Sequence, residues 1–407
     1  MPGQANDTLL VSEINFTGLN KTKTEYLFSF LQTKTNQFLN KSLLDRDRQV
    51  LLNLEGIADV KYQIDTLAKG LSLTFQIKEA LTFFPIINFG GVQGNFWYQL
   101  GITDANWRGR GIKLTTFYQN IDGRHNFNFH YRNPYIRGSQ WGASLNLQRF
   151  ASTEPLFFSE GTVFYDYDNT SVGATIIRHL NPKHTIELGA TYFVEDYRKN
   201  NRHEGTVTPG PQEQREPKTL GKFLHYYRNI NYHYHQLSGY DNVLNLQTVY
   251  NLSDYSFFNI LINDTRYFGR IGQNGNFASR LRIGLATNNN SPFAPFVLDS
   301  HINIRGSGNR IDRGTATFIL NLEYRQTIFN RGNFVSQLVA FSDSGTWRKP
   351  GGDLNQLITG ETLRHFVGGG LRLSYLKAYN ATLRIDYGID IQNTQERGFV
   401  LGVGQFF

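Results

Sequence analysis

The sequence has no cysteine and a single methionine among its 407 residues. Without cysteine there is no disulfide framework and no thiolate metal site. No apolar run reaches about 18 residues, so no transmembrane helix is predicted. The first residues also lack the charged and apolar regions of a signal peptide. If this is an exported protein, we therefore expect the chain to be a mature or trimmed form.

Clustered charge is missing as well. The net charge is +8, but the basic residues are scattered and form no patch or arm, which argues against a nucleic-acid partner. What the chain does have is 22 Tyr, 32 Phe, 4 Trp and 39 Gly, with a mean hydropathy of only −0.41. Many aromatics and low mean hydropathy combine readily where alternate strand residues face lipid and water.

Residues 8–80 predict a small α/β module with the order β-α-α-β-β. The predicted elements are a strand at 9–16, helices at 24–34 and 42–56, and strands at 59–64 and 71–78. Ser42 followed by Asp45 fits the N-cap of the second helix. Such an order gives a two-layer domain with one face of its sheet covered. Its free strand edge could pair with an extended polypeptide, or the domain could be only a spacer.

From residue 83 to 407 the pattern is strand after strand, mostly 9 to 14 residues long in sequence. In 315–327, for example, Phe318 and Tyr324 alternate with Asn321, Glu323 and Arg325. Soluble sandwiches alternate too, but their strands are usually shorter. We predict sixteen strands, an even number that closes an antiparallel barrel. They are 83–92, 95–106, 111–120, 124–134, 139–150, 166–180, 184–197, 221–236, 241–251, 255–268, 277–287, 315–327, 333–343, 364–376, 379–390 and 398–406.

The connections alternate between short turns and long polar loops, as in outer-membrane barrels. The longest loops are predicted at 198–220, 288–314 and 344–363. Loops of this length in a compact fold are usually functional or disordered. The segment 288–314 contains Arg305 among small residues, which makes it the leading candidate for a functional loop.

Five short motifs occur in the order seen in one protein family. They are Gly56-Ile57-Ala58-Asp59-Val60, Asp104-Ala105-Asn106-Trp107-Arg108-Gly109-Arg110-Gly111, Asn133-Pro134-Tyr135, Ile304-Arg305-Gly306 and Phe341-Ser342-Asp343-Ser344-Gly345. Together they resemble the Omp85 superfamily, which includes BamA- and TamA-like assembly factors, two-partner secretion pores and patatin-fused relatives. The resemblance implies an all-β transmembrane 16-stranded antiparallel β-barrel (83–407, with 288–314 folded inward) after a periplasmic POTRA domain (8–80), in the outer membrane of a Gram-negative bacterium.

Two positions depart from the family pattern. Ser307 stands where the family usually has Phe or Tyr, so the aromatic anchor of the loop is missing or supplied elsewhere. Gln405 occupies a usually apolar or aromatic position of the terminal strand, which ends in Phe407 as an outer-membrane targeting signal should.

The resemblance and the strand faces together predict a loop-pinning motif. Arg305 carries five donors in a fixed fork and stays protonated, so a loop folded into the lumen must satisfy its charge. By alternation Glu323 lies on the polar face of its strand, and the family position puts Asp343 on the inner wall. We therefore predict that Arg305 bridges to Asp343 and Glu323, within a motif completed by Ile304, Gly306 and Gly345.

The closing seam between the first and last strands is the second predicted feature. Proline is confined to strand edges, starts or bulges, and glycine-rich strands define register poorly. Both seam strands carry such residues, which predicts weak pairing and a seam that either opens sideways or is merely thin. The seam residues are Pro85, Gly90, Gly91, Gly402, Gly404 and Phe407.

Three functions remain open on the sequence: an assembly or insertion factor, a secretion pore or anchor for an N-terminal passenger, and a passive porin. The implied partners are outer-membrane lipid or lipopolysaccharide, and a client or passenger polypeptide at the POTRA edge. Accessory lipoproteins or a second copy of the chain are further candidates. We predict no enzyme activity, no cofactor and no metal site. His225, His233 and His235 share one strand face, but without an acidic partner they more often line a wet wall than bind metal.

Overall fold

The structure is a computed structural model, and it describes residues 10–92, 95–121, 123–136, 139–158, 161–200, 210–233, 236–299, 302–308, 312–377 and 382–407. The N-terminal domain has the predicted element order. It consists of β1 (Val11–Thr17), α1 (Thr24–Phe28), α2 (Lys41–Leu52), β2 (Ile57–Leu67) and β3 (Gly70–Glu79). β3 lies in the middle of the sheet, parallel to β1 and antiparallel to β2. Neither described helix is long and apolar enough to cross a membrane.

Both helices differ in extent from the sequence prediction. α1 ends at Phe28 because the carboxylate of Asp47, on α2, accepts hydrogen bonds from the main-chain N–H groups of Gln32 and Thr33 at 3.0 and 2.8 Å. α2 begins earlier than predicted. Its N-cap is Asn40, whose side chain accepts a hydrogen bond from the N–H of Leu43 at 3.1 Å, and Ser42 lies inside the helix.

The two edges of the small sheet differ. On the outer side of β1, the segment after α1 forms main-chain hydrogen bonds with Val11, so this edge is partly covered. The outer side of β2 pairs with no strand among the described residues. The free edge considered in the sequence analysis is therefore that of β2.

Sixteen antiparallel strands close a barrel, as predicted. They are β4 (Phe83–Val92), β5 (Asn95–Trp107), β6 (Ile112–Ile121), β7 (Arg124–Asn133), β8 (Trp141–Phe158), β9 (Gly161–Asn181), β10 (His184–Lys199), β11 (Glu213–His233), β12 (Gln236–Asn251), β13 (Phe257–Ile271), β14 (Gly275–Ala286), β17 (Ala316–Arg331), β18 (Phe334–Arg348), β19 (Arg364–Tyr375), β20 (Thr382–Asp390) and β21 (Arg397–Val403). Between β14 and β17, β15 (Phe296–Leu298) and β16 (Asp312–Gly314) form a short hairpin inside the predicted loop 288–314.

Several strands extend beyond their predicted limits. β11 begins at Glu213, inside the predicted loop 198–220, and pairs there with the end of β10. This stretch is polar on both faces and contains Pro217, so its sequence does not alternate. Cross-strand contacts such as the Lys218–Glu195 ion pair at 2.6 Å stabilise it instead. β18 likewise continues to Arg348, inside the predicted loop 344–363. Residues 201–209 of the predicted loop 198–220 and residues 379–381 of the predicted strand 379–390 lie outside the described part.

Burial along the barrel strands is the reverse of that in a soluble protein. On β17, Phe318 and Tyr324 are exposed, whereas Asn321, Glu323 and Arg325 are buried. On this strand the large exposed apolar side chains therefore lie on the outer face, and the charged ones point into the lumen. This is the arrangement of a barrel whose outer surface meets lipid.

The N-terminal domain packs against the turns at one end of the barrel. Lys21 Nζ lies 2.9 Å from the carboxylate of Asp104, at the end of β5. The carbonyl of Gly109 accepts a hydrogen bond from the N–H of Lys23 at 2.8 Å. Tyr135 packs edge-on to Phe30 with the ring centres 4.6 Å apart. Two of the sequence motifs, 104–111 and 133–135, thus form the contact with this domain.

Candidate functional site

The predicted loop 288–314 reaches deep into the lumen in its described part. Asp299 shapes the turn before the tip, accepting hydrogen bonds at its side chain from the N–H of Ile302 (2.7 Å) and at its carbonyl from that of Ile304 (2.9 Å). Residues 303–308 are buried. Ser307 donates its hydroxyl to the carbonyl of Ile304 at 2.8 Å, which closes the tip into a tight turn.

Arg305 is fully buried at this tip, and its donors point at the inner wall. Asp343, on β18, accepts three hydrogen bonds from it: the main-chain N–H at 3.0 Å, Nε at 2.8 Å and Nη2 at 2.9 Å. Nη1 donates to Glu323, on β17. The structure thus places both predicted partners around the guanidinium, and the forked Asp343 contact is the bidentate geometry that only arginine provides.

Arg305 belongs to a larger charge cluster that sequence reasoning did not find. Glu323 also accepts hydrogen bonds from Arg325 and from Arg372, and Arg372 forms a two-point contact with Asp386 at 2.7 and 3.1 Å. The alternation of β19 and β20 would have placed these side chains on the inner face. With Arg384 included, four arginines and three acids are buried together, which leaves one excess positive charge (4 − 3).

Glycines allow the loop tip to lie directly against the wall. Gly306 has a φ of +91°, and a Cβ there would lie 2.6 Å from the carbonyl oxygen of Gly388 on β20. On Gly388 itself, a Cβ would lie 2.3 Å from the carbonyl oxygen of Arg305. A Cβ on Gly345 of β18 would lie 2.6 Å from the side chain of Ile304. The small residues of the predicted motif therefore mark close backbone approach.

A second set of side chains holds the other flank of the tip. Arg280 Nη1 donates to the carbonyl of Ile302 at 2.7 Å, and Arg282 Nη1 to the side chain of Asn303 at 3.1 Å. Asp264, on β13, accepts hydrogen bonds from both arginines. In the sequence, the polar positions of β14 already included both arginines, but nothing indicated which loop they would meet.

The seam between β21 and β4 is much shorter than the other strand contacts. Among the described residues, three pairs join these strands, from Phe399–Gly91 to Leu401–Phe89, whereas ten join β4 to β5 and seven join β20 to β21. Beyond the last pair, the N–H of Val403 donates to the side chain of Asn88 at 2.9 Å.

The predicted seam residues have different surroundings. Gly90 and Gly91 lie in the paired part, and a Cβ on Gly90 would lie 3.1 Å from the indole of Trp97, which packs over the seam from inside. Pro85 lies in the part of β4 that β21 does not reach. Gly402 lies beside Arg384, and Gly404, with a φ of +96°, follows the end of β21.

Phe407 is not a seam residue, and its assignment to the last strand was wrong. β21 ends at Val403, and Phe407 packs against Ile230, Phe268 and Ala278 on the inner faces of distant strands. The left-handed backbone of Gly404 turns the chain into the lumen, which the apolar pattern of the last residues did not reveal.

Of the three histidines expected to line a wet wall, only His225 has a described side chain, and for it the prediction is wrong. His225 pairs opposite Ile186, on the same face of the sheet as the exposed Leu188, so it lies on the outer face. Its ring contacts that of His184 at 3.0 Å. His235 lies outside the described residues, and among those that are described no group of His, Asp or Glu is arranged to hold a metal ion.

Comparison with known families agrees with this geometry. The model of the "Omp85 superfamily domain" matches residues 106–407, about three quarters of the chain. The chain belongs to the Omp85 superfamily. Residues 9–80 match the POTRA family, described as "Surface antigen variable number repeat". Omp85 barrels are outer-membrane proteins that insert or translocate polypeptides, and the superfamily is in general non-enzymatic.

Solved structures show the same fold at low sequence identity. BamA from Haemophilus ducreyi lacking POTRA domains 1–3 is 16% identical, with a TM-score of 0.58 over 97% of this chain and 84% of that one. CdiB from Acinetobacter baumannii is 14% identical (TM-score 0.60; 97% and 74% covered). CdiB from Escherichia coli is 10% identical (TM-score 0.64; 98% and 77% covered). Among curated proteins no sequence matches this chain.

Proposed function

We propose that this protein inserts client polypeptides into the bacterial outer membrane through the seam between β21 and β4. The observation that carries the proposal is this seam, where three described residue pairs join β21 to β4, fewer than join either strand to its other neighbour. Since each pair of a β-ladder adds main-chain hydrogen bonds, separating β21 from β4 should require less free energy than separating other neighbouring strands. An exposed strand edge there would template an incoming strand.

The N-terminal domain would supply clients from the periplasmic side. Its β2 edge has no strand partner among the described residues and can accept an extended segment by β-augmentation. The contact of Lys21 with Asp104 places the domain below β5, next to the first seam strand. In this arrangement a captured segment would lie close to the seam. Accessory lipoproteins would be further partners.

The loop around Arg305 would keep the lumen closed while clients pass at the side. Its tip is held by Asp343 and Glu323 on one flank and by Arg280 and Arg282 on the other. These contacts argue against a passive porin, which needs an open lumen. Export of a polypeptide, or anchoring of a passenger, is the alternative, because withdrawal of the loop would open the lumen.

Reconstitution in lipid vesicles separates these functions. The protein is inserted in the vesicle membrane, and an unfolded outer-membrane barrel or an unfolded soluble polypeptide is added outside. Faster appearance of a folded, protease-resistant barrel than in vesicles holding an unrelated porin supports insertion. Soluble polypeptide recovered inside the vesicles supports export instead. Steady ion conductance without either product would identify a porin and refute the proposal.

A further inference from the structure

The last four residues form a tail that lies inside the barrel. The N–H of Gly404 donates to the carbonyl of Thr382 at 2.7 Å, and the chain then leaves the wall. The side chain of Gln405 accepts a hydrogen bond from Arg372 Nε at 3.3 Å. The ring of Phe406 lies 4.5 Å from the Cζ atom of Arg305, measured to the ring centre. The C-terminus of the chain therefore contacts the same cluster as the loop tip.

The contact of Phe406 with Arg305 is of a different kind from the contacts of the carboxylates. Asp343 and Glu323 engage the guanidinium through its in-plane donors. Two aromatic rings lie close to its Cζ atom: the centre of the Phe341 ring is 3.7 Å away and that of the Phe406 ring 4.5 Å. Both distances lie within the range of attractive cation–π contacts, which are strongest where water is excluded.

The described tip of the loop supplies no aromatic ring to the guanidinium of Arg305. Its described tip, residues 302–308, contains no aromatic residue, and Ser307 turns back to the carbonyl of Ile304. The second aromatic ring near the guanidinium is instead that of Phe406, about 100 residues later in the chain. The same ring also lies 5.1 Å from the Cζ atom of Arg384, a buried cation whose Nε has no hydrogen-bond partner among the described residues.

We propose that Phe406 is a positioning residue for the loop, so that the C-terminal tail completes the pin around Arg305. Only two residues separate Phe406 from Val403, where β21 ends. Displacement of β21 at the seam would therefore pull the ring away from Arg305. Opening of the seam and release of the loop would then be coupled. The inference rests on the loop pin proposed above, but not on which polypeptide the protein handles.

Because the chain has no cysteine, a single introduced thiol can report on the loop. Ser307 is buried, and S307C is close to it in size. The rate at which a small maleimide labels S307C is measured in the purified, folded barrel, with folding checked by resistance to SDS without heating. The pin is tested with F406A, F406L and F406W, and the matched control is F318L on the lipid-facing side of β17.

We expect F406A and F406L to raise the labelling rate at least about tenfold, from the lost cation–π contact. S307C that also carries F406W or F318L should be labelled at the same rate as S307C alone. A labelling rate for F406L equal to that of the parent would overturn the proposal, because leucine keeps the apolar bulk and loses only the ring.

A reciprocal measurement keeps Phe406 intact. If the tail and the loop are coupled, releasing the loop must release the tail to the same degree. The thiol is therefore placed at Q405C, and the loop is released with D343N. Faster labelling of Q405C in D343N supports the coupling, and an unchanged rate refutes it. Neither labelling assay contains a client polypeptide. If both labelling assays give the expected result and the vesicle insertion assay does not, the proposed function is rejected and the contact of the tail with the loop is retained.

Discussion

The substitution D343N should release the lumen loop more selectively than any other single change. Asp343 accepts three hydrogen bonds from Arg305, one from its main-chain N–H and two from its guanidinium. Removal of one partner of a buried ion pair costs about 3–5 kcal/mol. Asparagine keeps one acceptor oxygen, so we expect the lower end, about 3 kcal/mol, or an open population about 100-fold larger.

Trypsin offers a direct assay, because the bond it would cut after Arg305 is buried in the closed state. When opening and closing are fast, the cleavage rate follows the open population. D343N should therefore be cut after Arg305 about 100-fold faster, as read from fragment masses. The control is E361Q, which changes an exposed acid in a neighbouring loop. Cleavage of D343N at the parental rate would refute the pin.

Three further predictions concern the lumen loop and the N-terminal domain. E323Q should lower the stability of the whole barrel against urea, because the three arginines around Glu323 would lose the negative charge and one of the two acceptor oxygens that they share. G306A should speed cleavage of the loop roughly tenfold or more, since a positive φ and contact with Gly388 each resist a side chain. Burial opposes ionisation of Glu79, but hydrogen bonds from Thr22 and neighbouring main-chain N–H groups hold its pKa below the usual range. The resulting stability is present above the unfolded pKa, near 4.3, and is lost as the pH falls through the folded pKa. Protection of the N-terminal domain against hydrogen exchange, corrected for the intrinsic pH dependence of exchange, should therefore fall in acid, and E79Q should flatten this dependence.

Much of the fold could be predicted because lipid imposes a strict period of two. Strands such as 315–327 show one apolar and one charged face, which fixes both the strand and its orientation. The period of two is lost where strands leave the bilayer, as at Glu213, because both faces then contact water. It also failed at the N-cap of α2, where Asn40 and Ser42 are equally suitable by type and only the tertiary contacts decide.

For the site, the partners of Arg305 came from a family resemblance together with strand alternation. The rest of the cluster was missed, since Arg372 and Asp386 meet only when β19 and β20 pair in register. The placement of Phe406 was missed for another reason. A terminal aromatic predicts a lipid-facing strand end, and only the left-handed turn at Gly404 sends the tail inward.

If clients are inserted through the seam, as we propose, the seam must open. Phe89 and Leu401 lie directly opposite each other in the last pair of the seam, and opposite residues of an antiparallel ladder are close enough for a disulfide. In this cysteine-free chain, F89C/L401C can therefore be oxidised to lock the seam and reduced to free it. We predict that client insertion into vesicles stops on oxidation and returns on reduction, whereas undiminished insertion by the oxidised protein would contradict the account.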